Sequence, residues 1–530
     1  MIPPSSPHPE KSAAAAGISI LDDVLGPVMR GPSSSHTAAS YHIGRLVAAL
    51  LDAPPVSVRV TFDPGGSYGQ VYRQQGVDLG FAMGIMGLPL TDPCFFQALE
   101  AIVSRGVDLA FSVCPLADPD HPNTTDIRLQ AAHGRTLDVR ARSIGGGAVE
   151  ITRLNGWPVL VTGQAYEVLV ELPSTPDFRV QTLLAGDGSL LSEPVLQERG
   201  GRTLVQVKRR RALSPETRAA IAALHPGTRV LEAPPLAHLK PGPPLFRSAA
   251  EMLALAEART CSLGRLALAH ESALLGIAER EVFEEMARRV DLMRAVAREG
   301  LGENLPEMQL LTPTAGLIMR AESEGKLAVG GLHTRAAARA LAVMHINSSM
   351  GVVCAAPTGG SAGVLPAVLA TLMEERGLDR DQATFAALAA GAIGVIVGTR
   401  ATFAAEVAGC QVEIGAAGAM AAAAVVEAGG GTPRQAADAA AIAFQNTMGS
   451  VCDLVQGMVE IPCHTRNAVA ASSAFVCADL AMGGYLNLIP LDETIDAVLA
   501  VGRLLPPELR VTSRGGLAIT PSALKLHRRQ

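Results

Sequence analysis

Four hydroxyls and an imidazole crowd one short stretch, Gly31-Pro32-Ser33-Ser34-Ser35-His36-Thr37, directly before a helical pattern through Ile43, Val47 and Leu50. Serines at a helix start cap free backbone N–H groups, and those same groups with the helix dipole attract anions. One cap needs one serine. The surplus favours a substrate carboxylate held by Ser33, Ser34, Ser35 and Thr37, with His36 able to exchange a proton near neutral pH. A second stretch, Ala356-Pro357-Thr358-Gly359-Gly360-Ser361-Ala362-Gly363, precedes the helix-like Leu365–Met373. It fits neither G-x-x-x-x-G-K-[ST], since no lysine follows, nor G-x-G-x-x-G after a clear strand. A nucleotide site is not expected, and the loop reads equally as a close helix-packing turn or a ligand cradle.

The cysteines form a third constellation: Cys410 in AGCQVEIG, then Cys452 and Cys463 in VCDLVQGMVEIPC. The spacing C-x41-C-x10-C is unlike the compact C-x2-C runs of ferredoxins and zinc ribbons. Context distinguishes these three, with a glycine before Cys410, Asp453 beside Cys452, and Pro462 before Cys463. A cluster held by three thiolates leaves one iron open as a Lewis acid, whereas a structural zinc is the blander alternative. Cys94, Cys114, Cys261, Cys354 and Cys477 read as buried small hydrophobes.

The elements that must carry these residues follow from composition and periodicity. Charged residues make up only 18% of the 530 residues, so much of the chain is hidden from water. A formal charge of −6 and an aromatic content of 3% supply neither a basic field nor a stacking platform for nucleic acid. Residues 340–373 and 382–399 lack charges, but glycines, prolines and polar residues interrupt them, so buried helices are expected and no membrane span. Residues 1–17 read as a loose tail without a signal peptide, which makes a cytoplasmic enzyme the default. An N-terminal α/β domain is expected over 18–150, with strands at Val56–Phe62 and Val107–Phe111 and helices at Ala38–Leu51 and Phe95–Arg105. A smaller β-rich connecting domain follows over 151–245, closed by the proline-rich linker Ala233–Pro244. A large helical domain fills 246–530. The fold class is thus mixed, α+β with an α/β portion. Small residues on the helices suggest a homodimer.

The strings GPSSSHT, HPNT (His121–Thr124), SIGGG (Ser143–Gly147), APTGGSAGVLPAVL, GCQVEIGAAGAMAAAA and CD…G.VEIPC..RNA resemble the iron–sulfur L-serine dehydratases. The resemblance covers roughly 18–150 and 250–520, with the family's β-type portion fused ahead of its α-type portion. It implies a [4Fe–4S] cluster on Cys410, Cys452 and Cys463 that eliminates water from L-serine to give pyruvate and ammonia. The amino-acid substrate then lies between domains, with His36 or His121 as proton acceptor, the SSSHT turn on the carboxylate, and Asn347, Ser348, Thr358, Gly359 and Gly360 completing the pocket. Pyridoxal phosphate, the other common route, needs a Schiff-base lysine. None of Lys11, Lys208, Lys240, Lys326 and Lys525 has a pocket-like context. Two departures keep alternatives open. Leu454 and Gln456 replace a proline and a small residue, and Gln74-Gln75-Gly76-Val77-Asp78 answers the family's G-H-G-T-D. A different β-hydroxy or β-thiol amino acid, or a non-catalytic amino-acid or redox sensor, would fit those changes.

Overall fold

The computed structural model describes residues 17–173 and 175–529, so all of the expected tail except Gly17 lies outside the described residues. The N-terminal unit is a six-stranded sheet in the order Asp108–Val113, Pro55–Phe62, Thr124–Ala131, Thr136–Gly145, Ala148–Leu154, Trp157–Val161. Only its first pair is parallel, and the others are antiparallel. Strands on both sides of residue 150 therefore share one sheet. Along Pro55–Phe62 the residues Val58, Val60 and Phe62 turn inward while Ser57 and Arg59 do not, the two-residue alternation of a sheet with one buried face. The helices Ala39–Leu51 and Val77–Met86 pack on that face. They approach so closely that a Cβ at Gly80 would overlap Ser40 Oγ and Thr37 O. Small residues thus seat the start of the first helix. The expected helix from Phe95 begins instead as a 3-10 turn, Pro93–Gln97, before Ala98–Ser104, because the Asp92 side chain caps Cys94 N and proline follows it.

A four-stranded antiparallel sheet, in the order Arg229–Ala233, Tyr166–Leu172, Arg202–Arg209, Val195–Arg199, carries the helices Phe178–Ala185 and Pro215–Ala222. It buries its own core around Val168, Val170, Val205, Val207 and Ile221. The remainder is helical. The alanine-rich helices Arg380–Arg400 and Ile414–Ala428 pack against each other at its centre. Helix 380–400 and the stretch Cys410–Ala428 are long and apolar enough to cross a membrane, but both are mostly buried by neighbouring helices of the core.

Two contacts tie the N-terminal residues to this helical unit. Ile20, Leu21, Val24 and Leu25 belong to the helical core, and Glu271 accepts from Ser19 Oγ (2.5 Å), Ile20 N (2.7 Å) and Leu21 N (3.0 Å). The strand Val28–Arg30 then pairs antiparallel with Val352–Cys354. Ile20 and Val24 lie over Gly391 and Gly394, where added Cβ atoms would overlap Ile20 Cγ2 and Val24 Cγ1. Gly394→Val should therefore overpack this seat and cost about 1–3 kcal/mol, read as a lower midpoint for chemical unfolding of the helical unit.

Candidate active site and metal centre

The strand pair delivers the hydroxyl-rich turn to the end of helix Leu332–Ser348. Gly31 N donates to Gly351 O (3.0 Å), and Asn347 Nδ2 donates to Pro32 O (3.1 Å). Ser34–Ala38 then form one π-helical turn, and Ser33 at its start makes no side-chain capping bond. The three serines diverge. Ser34 Oγ accepts from Gly359 N (3.3 Å), which brings the Thr358–Gly360 loop onto the turn. Ser33 Oγ lies 3.2 Å from His36 Nδ1, and Ser35 Oγ lies 2.9 Å from the same nitrogen while donating to Glu406 Oε1 at 2.5 Å. Thr37 Oγ1 donates to Gln75 O (2.7 Å), a packing role.

His36 is fully buried. Burial lowers its pKa to about 4, although the Glu406 carboxylate, 3.4 Å from Nδ1, pulls the other way. The imidazole is thus neutral at ordinary pH, and its hydrogen bonds select the tautomer. Ser67 and Ser35 give their hydroxyl protons to Val511 O (3.1 Å) and Glu406 Oε1, so neither can donate to the imidazole; Ser33, 3.2 Å from Nδ1, can, which places the lone pair on Nδ1 and the proton on Nε2, where Ser67 accepts it at 3.0 Å. A basic nitrogen therefore faces Ser33, Ser35 and Glu406. Burial opposes ionisation of Glu406, whereas the hydrogen bonds from Ser35 and Asn123 favour its charged form. Nearby, Tyr68 donates to Ser35 O (3.1 Å) and sets its ring edge-on to His36.

The cysteines converge from three elements. Cys410 opens a 3-10 turn ahead of helix Ile414–Ala428, Cys463 is the first residue of helix Cys463–Met482, and Cys452 lies between them on a short bridge to Arg510. All three are buried. The Cys410 and Cys452 sulfurs and a Glu413 carboxylate oxygen lie within 4.8 Å of one another. The Cys463 thiol is pushed well above its usual pKa by burial and then by the nearby Cys410; for Cys452 the hydrogen bond with Cys410 acts first, then burial. Two thiols that resist ionisation, Cys452 and Cys463, beside Cys410 suit a cation that would neutralise thiolates. Arg466 supplies a fixed positive charge, with Nη1 3.6 Å from Cys410 Sγ and Nη2 3.0 Å from Asp453 Oδ1. Cys477, on the same helix as Cys463, has its pKa raised to about 11 by burial alone, with no other thiol contributing.

Glu413 joins the two halves. Oε1 accepts from Thr358 Oγ1 (2.6 Å), and Oε2 is 3.9 Å from Cys410 Sγ. Burial pushes it up to about 7, with Glu406 adding to the rise. The SSSHT turn, the Thr358–Gly360 loop and the thiols are thus one connected region. The other expected residues make the following contacts. Ser348 Oγ donates to Val459 O (2.6 Å) and is 2.9 Å from His464 Nε2, while Gly360 O accepts from Asn467 Nδ2 (2.9 Å). His121 Nδ1 accepts from Asn123 N (3.1 Å), and it is Asn123 that reaches Glu406 Oε1 through Nδ2 (3.0 Å). Three of the lysines pair with acids: Lys208 with Glu167, Lys240 with Asp23, Lys326 with Glu324. Sequence reasoning missed Glu406, Glu413, Asn123, Ser67 and Arg466. A signal existed for the first two, which are the only charged residues between 401 and 426 and flank Cys410.

The departures have visible consequences. Gln75 is buried and donates from Nε2 to Gly457 O (3.2 Å), in the loop after Cys452. Gln456 has φ 54° and donates to Leu526 O (2.8 Å), while Leu454 packs in the helical core.

Residues 209–518 match the family model described as serine dehydratase alpha chain. A probable L-serine dehydratase alpha chain of Bacillus subtilis is 37% identical over 285 residues, 54% of this chain and 95% of that one. The L-serine dehydratase alpha chain of Peptoniphilus asaccharolyticus is 36% identical over 54% of this chain and 98% of its own. L-serine dehydratase 1 of Escherichia coli is 35% identical over 52% of this chain and 62% of its own. The family match takes in Thr358, both site glutamates and all three cysteines. With that match spanning more than half of its length, the chain belongs to the serine dehydratase alpha-chain family of lyases.

Proposed function

We propose that this chain removes water from L-serine, giving pyruvate and ammonia, and that Cys410, Cys452 and Cys463 hold a [4Fe–4S] cluster. One observation carries the reading: three buried thiols and a neutral histidine with its lone pair at Nδ1 are linked through Glu413, Thr358 and Glu406. The three thiols suit the cluster as soft donors, and two of them, Cys452 and Cys463, resist ionisation without added positive charge. When bound, a three-thiolate cluster supplies a Lewis-acidic iron with an open position for the departing oxygen.

The chain's own residues do the remainder. His36 Nδ1 accepts the Cα proton, Ser33 donates to that nitrogen in the resting site, and Ser67 accepts from Nε2 to fix its tautomer. The hydroxyl-rich turn takes the carboxylate, and Gly359 keeps that turn against the loop that supports Glu413. Loss of the Cα proton and the β-hydroxyl gives an enamine, whose hydrolysis yields pyruvate and ammonia. Gln75, standing where the family carries histidine, favours assaying L-cysteine and L-threonine beside L-serine.

Anaerobically prepared protein should carry about four irons per chain and release pyruvate from L-serine. Iron-loaded protein inert toward every β-hydroxy and β-thiol amino acid would refute the enzymatic reading. Iron analysis should find the metal lost in Cys452→Ala and kept in Cys477→Ala; the opposite pattern would mean a different ligand set. His36→Asn should keep its iron and lose on the order of 10²–10⁴ in kcat, the usual contribution of a positioned base. Because burial holds His36 near 4, the imidazole becomes protonated only below that pH. The acid limb of kcat/KM should accordingly fall near pH 4, and a limb near 6.5 would point to an exposed histidine instead.

A further inference from the structure

Glu406 and Asn123 are 2% and 0% exposed and are joined by the 3.0 Å bond from Asn123 Nδ2 to Glu406 Oε1. The same Oε1 also receives Ser35 Oγ. The other acceptor of each side chain, Glu406 Oε2 and Asn123 Oδ1, is buried and has no hydrogen-bond partner among the described residues. Buried acceptors are ordinarily satisfied, and two orphans on one hydrogen-bonded pair need an explanation. Charge points the same way. A buried carboxylate calls for a cation, and no Lys or Arg forms an ion pair with Glu406 among the described residues, where its ion-pair partner is the neutral His36.

We propose that Glu406 Oε2 and Asn123 Oδ1 seat the α-ammonium group of the substrate. An ammonium brings three N–H donors and one positive charge, which matches two vacant acceptors beside one uncompensated carboxylate. A hard divalent cation fits less well, because it takes six or more oxygen ligands. The placement also suits the reaction. His36 Nδ1 is 3.4 Å from Glu406 Oε1, and in an α-amino acid the carbon that carries the acidic proton is bonded directly to the nitrogen. Holding the ammonium at Glu406 therefore brings that carbon within reach of the base. The ligand's identity rests on the dehydratase reading; the seat adds amine recognition to it, so that β-hydroxy acids without an amino group are excluded.

The test uses a non-reacting pair, L-alanine and propanoate, which differ by the ammonium alone. Titration calorimetry on the iron-reconstituted protein should show L-alanine binding at least about tenfold tighter, as expected for a charge-assisted hydrogen bond to a buried carboxylate. Glu406→Gln and Asn123→Leu should each reduce that ratio toward one and leave propanoate binding within about twofold. A wild-type protein with no preference, or variants that keep it, would overturn the seat and assign the orphan acceptors to bound water. Should Glu406→Gln fail to fold by circular dichroism, Asn123→Leu carries the test alone. A protein that prefers L-alanine yet never consumes L-serine would overturn the dehydratase reading and leave the ammonium seat standing.

Discussion

The arrangement of the site depends on one three-residue strand pairing. Val28–Arg30 runs antiparallel to Val352–Cys354, with Val28 opposite Cys354 and Arg30 opposite Val352. Strand pleating sends alternate residues to opposite sides, and here each side meets a different core. Met29 and Val353 join the core of the six-stranded sheet, whereas Val28 and Cys354 face the helical one. A slip of one residue would exchange these faces and expose both cores to the wrong partners. The register is therefore set by burial on two sides. It also sets the chemistry, because the SSSHT turn leaves one strand, the Thr358–Gly360 loop leaves the other, and the two meet again at Ser34 and Gly359.

Around that meeting point the chain accepts electrostatic costs that packing alone would avoid. Two carboxyls, Glu406 and Glu413, are buried close enough for the first to oppose ionisation of the second, and the thiols of Cys410 and Cys452 crowd beside Glu413. Low-dielectric surroundings magnify each unpaired group. Hydrogen bonds relieve part of this: Ser35 and Asn123 serve Glu406, Thr358 serves Glu413, and Arg466 stands beside Cys410. Glu406 Oε2, Asn123 Oδ1 and Asn347 Oδ1 stay without a hydrogen-bond partner among the described residues.

The sequence carried the fold well where periodicity is local. The strand expected at 56–62 and the helix expected at 38–51, each within one residue of the observed element, are legible from alternation and apolar spacing, as are the unusual hydroxyl run and the three cysteines in polar context. Non-local contacts were not legible. Nothing in the spacing of Glu406 from Ser35 or Asn123 announces that they touch, since 371 and 283 residues separate them. The HPNT string drew attention to its histidine because imidazole is the familiar proton carrier. The fold uses His121 Nδ1 to hold the turn and sends Asn123 inward. Likewise Ser19–Leu25 could not be assigned to the helical core from its own residues. Its partners are glycines whose meaning, a groove for Ile20 and Val24, appears only once the helices are assembled.

The two departures from the family's motifs fall on supports rather than on the reacting network. Gln75 links the backbone beside Thr37 to Gly457, so its side chain couples the N-terminal unit to the loop that follows Cys452. Gln456, one residue earlier in that loop, binds the carbonyl of Leu526 and receives Arg528 Nε at 3.1 Å. Both glutamines therefore anchor the same cysteine loop, one toward the sheet and the other toward the chain's last described residues. His36, Ser35, Glu406 and Asn123 keep their contacts independently of either, because none of their hydrogen bonds passes through residues 454–457. The physical effect of these substitutions is thus on how firmly the thiol loop is mounted, while the polar half that would meet an amino acid retains its geometry.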